Sequence, residues 1–239
     1  MKALILASGF GTRLHPITKI TPKPLIDLRG KPILAHILDN LEKSKYIDEI
    51  YITYSHKFRG QFNSFLKNFS YSKKIDLVRK KEKKEIEMPG SIGTINYFVK
   101  AKKIEEDLLV LAADSVFNFD IDDFIDFYRE KGKTSIAVFD IKDKDRAAKK
   151  YGIVEMDENG RIKSFAEKPE NPATSFVAIL CYAISNNDLH HLDKKTFREN
   201  AGELISHLVS NGDVYGYLFS GKWFDIGSHE DLEMARREF

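Results

Sequence analysis

Two glycines one residue apart, then a threonine and an arginine, stand near the end of Leu6-Ala7-Ser8-Gly9-Phe10-Gly11-Thr12-Arg13-Leu14. Glycine allows a tight turn and a close backbone approach to a ligand, and the N–H groups so presented suit phosphate oxygens. Arg13, two residues past Gly11, can grip the same anion. Taken alone, such a loop also fits a structural turn or a dinucleotide site. A second element follows in Thr21-Pro22-Lys23-Pro24-Leu25, where the flanking prolines predict near-extended backbone at Lys23. A lysine and an arginine aimed at one glycine loop suit a reaction in which negative charge grows, as in phosphoryl or nucleotidyl transfer.

The run from Ser8 to Thr18, then Thr21-Pro22-Lys23-Pro24-Leu25, then Gly30-Lys31-Pro32-Ile33-Leu34, resembles the signature of the nucleotide-sugar pyrophosphorylases, also called sugar-1-phosphate nucleotidylyltransferases. The resemblance implies that Leu6, Ala7, Ser8, Gly9, Gly11 and Thr12 bind the nucleotide, and that Arg13 and Lys23 act on the triphosphate and its transferring α-phosphate. Pro89-Gly90-Ser91-Ile92-Gly93-Thr94 looks like the family's second nucleotide loop, with Gly93 and Thr94 against base and ribose. Asp114, after Leu111-Ala112-Ala113, and Asp225, in Trp223-Phe224-Asp225-Ile226-Gly227-Ser228, match the family's two metal-holding aspartates, and Mg2+ is the implied cofactor. Gly152, Glu167 and Lys168 stand at its sugar-phosphate positions.

The chemistry of these residues agrees with the implied roles. An aspartate at the end of an apolar strand lies where open α/β sheets bind ligands, and a hard carboxylate suits a hard cation. Glu167 can accept hydrogen bonds from sugar hydroxyls while the Lys168 ammonium binds the sugar's phosphate. The base is open; the Glu87 carboxylate, just before the second loop, could accept from the N1 and N2 donors of guanine. Three departures from the family pattern stand out. Ser8 replaces a glycine or alanine and offers a hydroxyl, Ala113 replaces a glycine, and Phe176-Val177-Ala178-Ile179-Leu180 lacks the Asn and Gly that many members carry before the sugar-lining strand. The last leaves room for another acceptor, so a cytidylyltransferase acting on a phosphate such as phosphocholine is the alternative enzyme. A non-catalytic homologue that binds nucleotide sugar is the alternative outside catalysis.

The elements that must position these residues read as an α/β chain. Ala3-Leu4-Ile5-Leu6-Ala7 predicts a buried strand, apolar residues from Ile33 to Leu41 a helix, Glu49 to Tyr54 a strand, and Phe58 to Phe69 a helix. Leu108 to Ala113, Ile121 to Tyr128 and Ser135 to Ile141 continue the alternation, which implies a mostly parallel mixed sheet in a Rossmann-like three-layer αβα sandwich, of the GT-A type by the resemblance. Asn159-Gly160 predicts a hairpin between Gly152–Met156 and Arg161–Phe165. Phe176 to Ile184 and Asp213 to Phe219 predict strands, the stretch near Glu199 to Leu208 a helix, and Ser228 the cap of a last helix. One domain is expected over 1–239, with a nucleotide lobe at 1–115 and a sugar-phosphate lobe at 116–239. The mixed charges from Arg79 to Glu85 read as a solvated loop.

Composition narrows the partners to small molecules. With 42% hydrophobic and 31% charged residues and a net charge of +2, the chain has no basic field for nucleic acid or for an anionic membrane. Its apolar runs are too short for a membrane span or a secretory leader, and a lone Cys181 in an apolar strand fits a reducing cytoplasm as a buried structural thiol. The expected partners are a nucleoside triphosphate and a sugar 1-phosphate, and assembly into a homo-oligomer is left open by the sequence. The seven histidines lack metal-ligand spacing, so no zinc site is expected.

Overall fold

The computed structural model describes residues 1–80, 90–193, 197 and 200–239. Packing divides the chain into two units that alternate along the sequence. The first takes Met1–Lys80, Leu111–Asp122 and Gly221–Phe239, and the second Lys81–Val110 and Asp123–Ser220. These follow contacts between residues, whereas the lobes expected at 1–115 and 116–239 divide the chain by substrate.

The first unit opens with β1 (Lys2–Leu6), α1 (Ile17–Ile20) and a small ribbon of β2 (Asp27–Leu28) and β3 (Lys31–Pro32). It continues through α2 (Ile33–Lys43), β4 (Glu49–Tyr54), α3 (Arg59–Asn68) and β5 (Lys74–Arg79). Ala3, Leu4 and Ile5 are fully buried, as the uninterrupted apolar run of a doubly covered parallel strand requires. On α2 the buried side chains Ile33, Leu34, Ile37, Leu38 and Leu41 recur at helical spacing, each worth about 1.5–3 kcal/mol of burial. Strands β1, β4 and β5 pair in parallel in the order β5-β4-β1, with Leu6 opposite Thr53 and Thr53 opposite Val78. The helices α2 and α3 are the crossovers that parallel pairing demands. β5 carries no clear strand pattern, because its apolar residues, Ile75, Leu77 and Val78, sit among charges.

The second unit begins with α4 (Gly90–Lys102), and β6 (Leu108–Ala112) runs from this unit into the first. The chain then gives the first unit β7 (Ser115–Phe117), and α5 (Ile121–Lys131) returns to the second. There follow β8 (Ser135–Asp140), α6 (Lys144–Ala147), β9 (Gly152–Met156), β10 (Ile162–Glu167), β11 (Phe176–Ile184), α7 (Asn186–Leu189), α8 (Ala201–Asn211) and β12 (Tyr215–Phe219). Back in the first unit, β13 (Trp223–Asp225) pairs antiparallel with β7, and α9 (His229–Glu238) ends the chain. In the second unit β8 pairs parallel with β12 and antiparallel with β11, while β9 pairs antiparallel with both β10 and β11. The fold is therefore α/β with a mixed sheet, as expected.

The predicted hairpin is present as β9 and β10, with Gly160 at φ 81° in its turn. Gly90–Thr94, expected as a loop, forms the start of α4 instead. Ile92, Ile95 and Phe98 lie at helical spacing and are fully buried, and that apolar face outweighs the poor helix propensity of the glycines. Cys181 is fully buried in β11, and burial pushes its thiol pKa up, which keeps it protonated and inert. Among the described residues no helix is long and apolar enough to cross a membrane.

Candidate active site

In the first unit the glycine loop leaves β1 through Ala7, whose N–H donates to Thr53 Oγ1 at 3.0 Å. Ser8 is buried, and its Oγ lies 3.4 Å from Thr53 Oγ1. The hydroxyl that distinguishes this loop thus meets β4, which ties the first residue of the loop to the sheet. Gly9 and Phe10 are exposed, and nothing stands within 4 Å of where a side chain on Gly9 would begin. Gly11 has φ 58° and ψ 36°, and a Cβ there would meet Thr18 Cγ2 at 3.0 Å and Lys23 Cβ at 3.4 Å. Both facts select glycine. Its carbonyl accepts from Leu14 N at 2.9 Å and Thr18 Oγ1 at 2.8 Å, so Thr12–Leu14 forms one tight turn that carries Arg13, an exposed residue.

Lys23 is held by a turn rather than by extended backbone. Pro22 is extended, at φ −62° and ψ 141°, but Lys23–Leu25 forms a 3-10 turn closed by Leu25 N to Pro22 O at 2.8 Å and Ile26 N to Lys23 O at 3.1 Å. These two backbone bonds overcome the extended bias of a residue that precedes proline. The Lys23 side chain is only 10% exposed, and its Nζ reaches Asp114 Oδ2 at 3.2 Å. The ion pair joins residues 91 positions apart and leaves the Asp114 carboxylate half exposed.

Asp114 and Asp225 are brought together by the β7–β13 ribbon. Asp225 is paired with Ser115, the neighbour of Asp114, and Ile226 N donates to Asp114 O at 2.9 Å. At Gly227 a Cβ would lie 3.5 Å from an Arg13 Nη2 and 3.6 Å from Asp225 Oδ2, so guanidinium and carboxylate converge on this glycine. The same core anchors all of these groups. Leu14, Val116 and Ile226, each next to or two residues from Arg13, Asp114 or Asp225, are buried in one cluster with Ile26, Leu28, Ile33, Leu232 and Ala235. Polar groups at the surface are thereby fixed through apolar neighbours that cannot move without opening a cavity.

The donor set would suit a magnesium ion that takes further ligands from outside the protein. Two hard carboxylates stand at adjacent ribbon positions, one of them half exposed. Among the described residues no three His, Cys, Asp or Glu converge as a complete cage, so further ligands would come from substrate and water.

In the second unit Glu167 of β10 is paired with Gly152 of β9. A Cβ on Gly152 would meet Phe165 Cζ at 2.7 Å and Glu167 Oε2 at 3.4 Å, so only glycine admits the ring and the carboxylate beside it. Lys168 adopts φ 47° with its N–H on Tyr151 O at 3.0 Å, and its Nζ stands 3.7 Å from Glu167 Oε1 with the side chain 54% exposed. An ammonium so exposed is available to an incoming anion. Gly93 and Thr94 are buried near the start of α4, and Thr94 Oγ1 donates to Gly90 O at 2.7 Å. That hydroxyl spends its proton within the helix. Glu87 lies outside the described residues.

Two neighbours of Glu167 were not anticipated. Asn200 Nδ2 donates to Glu167 Oε1 at 2.5 Å, and a Cβ on Gly202 would meet Glu167 Oε2 at 2.5 Å. The available signal was the Asn200 cap of α8, whose Oδ1 accepts from Gly202 N at 3.1 Å. A cap says nothing about a partner 33 residues away.

Residues 2–239 match the family model described as nucleotidyl transferase. The bifunctional protein GlmU of Methanocaldococcus jannaschii is 30% identical over 242 residues, covering 99% of this chain and 54% of that protein. Mannose-1-phosphate guanylyltransferase 1 of Arabidopsis thaliana is 29% identical over 237 residues, covering 97% of this chain and 62% of that protein. The chain thus spans roughly half to three fifths of the length of these relatives. The crystal structure of UDP-glucose pyrophosphorylase with UDP-glucose has the same fold, with a TM-score of 0.82 at 22% identity over 99% of this chain and 97% of that one. Since the family model takes in nearly every residue and not the glycine loop alone, the chain belongs to the nucleotidyl transferase family.

Proposed function

We propose that the chain transfers the nucleoside monophosphate of a nucleoside triphosphate to the phosphate of a sugar 1-phosphate, giving a nucleotide sugar and pyrophosphate. The observation that carries this reading is the Lys23–Asp114 ion pair, at 3.2 Å, on a turn whose Lys23 Cβ would sit 3.4 Å from a Cβ on Gly11. A shielded ammonium beside a glycine loop is of use where a phosphate gains charge. An oxygen of the sugar phosphate attacks the α-phosphorus and forms the new P–O bond. The bond from the α-phosphorus to its bridging oxygen breaks, and pyrophosphate leaves with the electron pair. No protein base is needed, because a phosphate monoester with a second pKa of about 6 is already largely a dianion at neutral pH.

Leu6, Ala7, Ser8, Gly9, Gly11 and Thr12 would bind the triphosphate, with Arg13 and Lys23 stabilising the charge on the transferring group. Asp114 and Asp225 would hold Mg2+, which when bound neutralises triphosphate charge and orients the leaving pyrophosphate. The second unit would take the sugar phosphate, with Glu167 accepting from hydroxyls and Lys168 binding the phosphate beside Gly152. Gly93 and Thr94 would face the nucleoside. The relatives named for sugar-1-phosphate chemistry support a sugar phosphate over phosphocholine as acceptor. The lone buried Cys181 supports a cytoplasmic setting for the reaction. Labelled triphosphates test the chemistry: α-label must appear in the nucleotide sugar and γ-label in pyrophosphate. Release of γ-label as inorganic phosphate, with α-label left in nucleoside diphosphate, would make the chain a hydrolase instead.

A further inference from the structure

Glu167 is the carboxylate proposed to receive the sugar, and its position is set from outside its own strand. Glu167 pairs through β10 with Gly152, and Phe165, two residues earlier on the strand, fills the space that a Cβ on Gly152 would need. The start of α8 lies against both oxygens of the carboxylate. Asn200 Nδ2 donates to Oε1 at 2.5 Å, and Oε2 lies 2.5 Å from the point where a Cβ on Gly202 would stand, too close for any side chain there. The ring of Phe165 lies 3.0 Å from that same point. Asn200 is itself held, since its Oδ1 accepts from Gly202 N at 3.1 Å, and the turn is tied to α4 by Ala201 N donating to Ser91 Oγ at 2.8 Å.

We infer that Asn200 and Gly202 are positioning residues for sugar recognition: the asparagine fixes one carboxylate oxygen of Glu167 by a hydrogen bond, and the glycine leaves the slot that the other oxygen occupies. The inference rests on the assignment of Glu167 to the sugar phosphate subsite. A charge-assisted hydrogen bond holds a carboxylate in one orientation, and an orientation fixed before binding spares the sugar the cost of ordering it. The cap and the positioning contact use different atoms of Asn200, so they are separable. Asn200→Asp keeps an acceptor for Gly202 N and therefore the cap, but sets a negative oxygen against Glu167 in place of a donor. Gly202→Ala raises helix propensity in α8, while its methyl displaces the flexible end of Glu167. A merely structural role would leave sugar affinity unmoved in a variant whose helix is favoured.

The test measures, for wild type and both variants of the full chain, calorimetric affinity for α-D-glucose 1-phosphate and α-D-mannose 1-phosphate, together with steady-state kinetics. The expected result is that each variant weakens sugar phosphate binding and raises its KM by at least about tenfold, the scale of a hydrogen bond to a charged group, while the KM for triphosphate stays within about twofold. Wild-type binding that neither variant weakens overturns the positioning role alone. Wild-type binding without turnover overturns the transfer reading and leaves the positioning result to stand on affinity. Wild-type protein that binds neither sugar phosphate overturns both. If Asn200→Asp fails to fold, Gly202→Ala still decides the matter.

Discussion

The side chains that would do the chemistry are held by short, specific contacts, and each can be removed singly. Lys23→Ala removes a nearly buried ammonium from a half-exposed carboxylate, so the fold should survive while turnover falls at least about a hundredfold, near 2.7 kcal/mol of lost charge stabilisation. Circular dichroism and kcat check the two halves of that statement, and near wild-type turnover would contradict the role of Lys23. Lys168→Ala should instead raise the KM for sugar phosphate with a smaller change in kcat, because it removes binding present before the reaction. A rise confined to the KM for triphosphate would contradict its placement. Arg13, Lys23 and Asp114 could be proposed from the sequence because each sits in a local motif with its own chemistry. Asn200 and Gly202 were not, because what gives them meaning is a carboxylate on another element.

At the scale of elements, the polar groups depend on the cluster behind them. Ile226 is fully buried between Asp225 and Gly227, and Ser228 caps α9 by accepting from Asp231 N at 3.2 Å. Ile226→Ala should cost about 2–5 kcal/mol of stability in urea denaturation, and Ser228→Ala about 1 kcal/mol. Equal costs would show that the cluster does not anchor the ribbon. Strands whose apolar runs were continuous, such as β4 and β11, were readable to the residue. Two local expectations failed where tertiary contacts outweighed propensity. Gly90–Thr94 joined a helix because Ile92, Ile95 and Phe98 are fully buried, and Lys23 took a 3-10 turn because two backbone bonds close it.

For the whole molecule, alternating strands and helices made the α/β class legible, since parallel pairing needs helical crossovers. What could not be read is how the chain shares itself between units, because β7, β13 and α9 join the first unit by packing of residues far apart in sequence. A ligand that binds only the folded protein stabilises it by mass action. Triphosphate with Mg2+ at about a hundredfold over its Kd should therefore add about 2.7 kcal/mol, seen as a higher Tm, and chelator should remove much of that gain. An unchanged Tm at saturating triphosphate, with and without Mg2+, would contradict the nucleotide site.

Nucleotidyl transfer to a sugar phosphate is decided by pyrophosphate release across a matrix of nucleoside triphosphates and sugar 1-phosphates, with phosphocholine among the acceptors, in Mg2+ and in chelator. Release should require Mg2+ and a sugar 1-phosphate and should be lost in Lys23→Ala. Release with phosphocholine alone, release that persists in chelator, or triphosphate binding with no release from any pair would contradict that reaction.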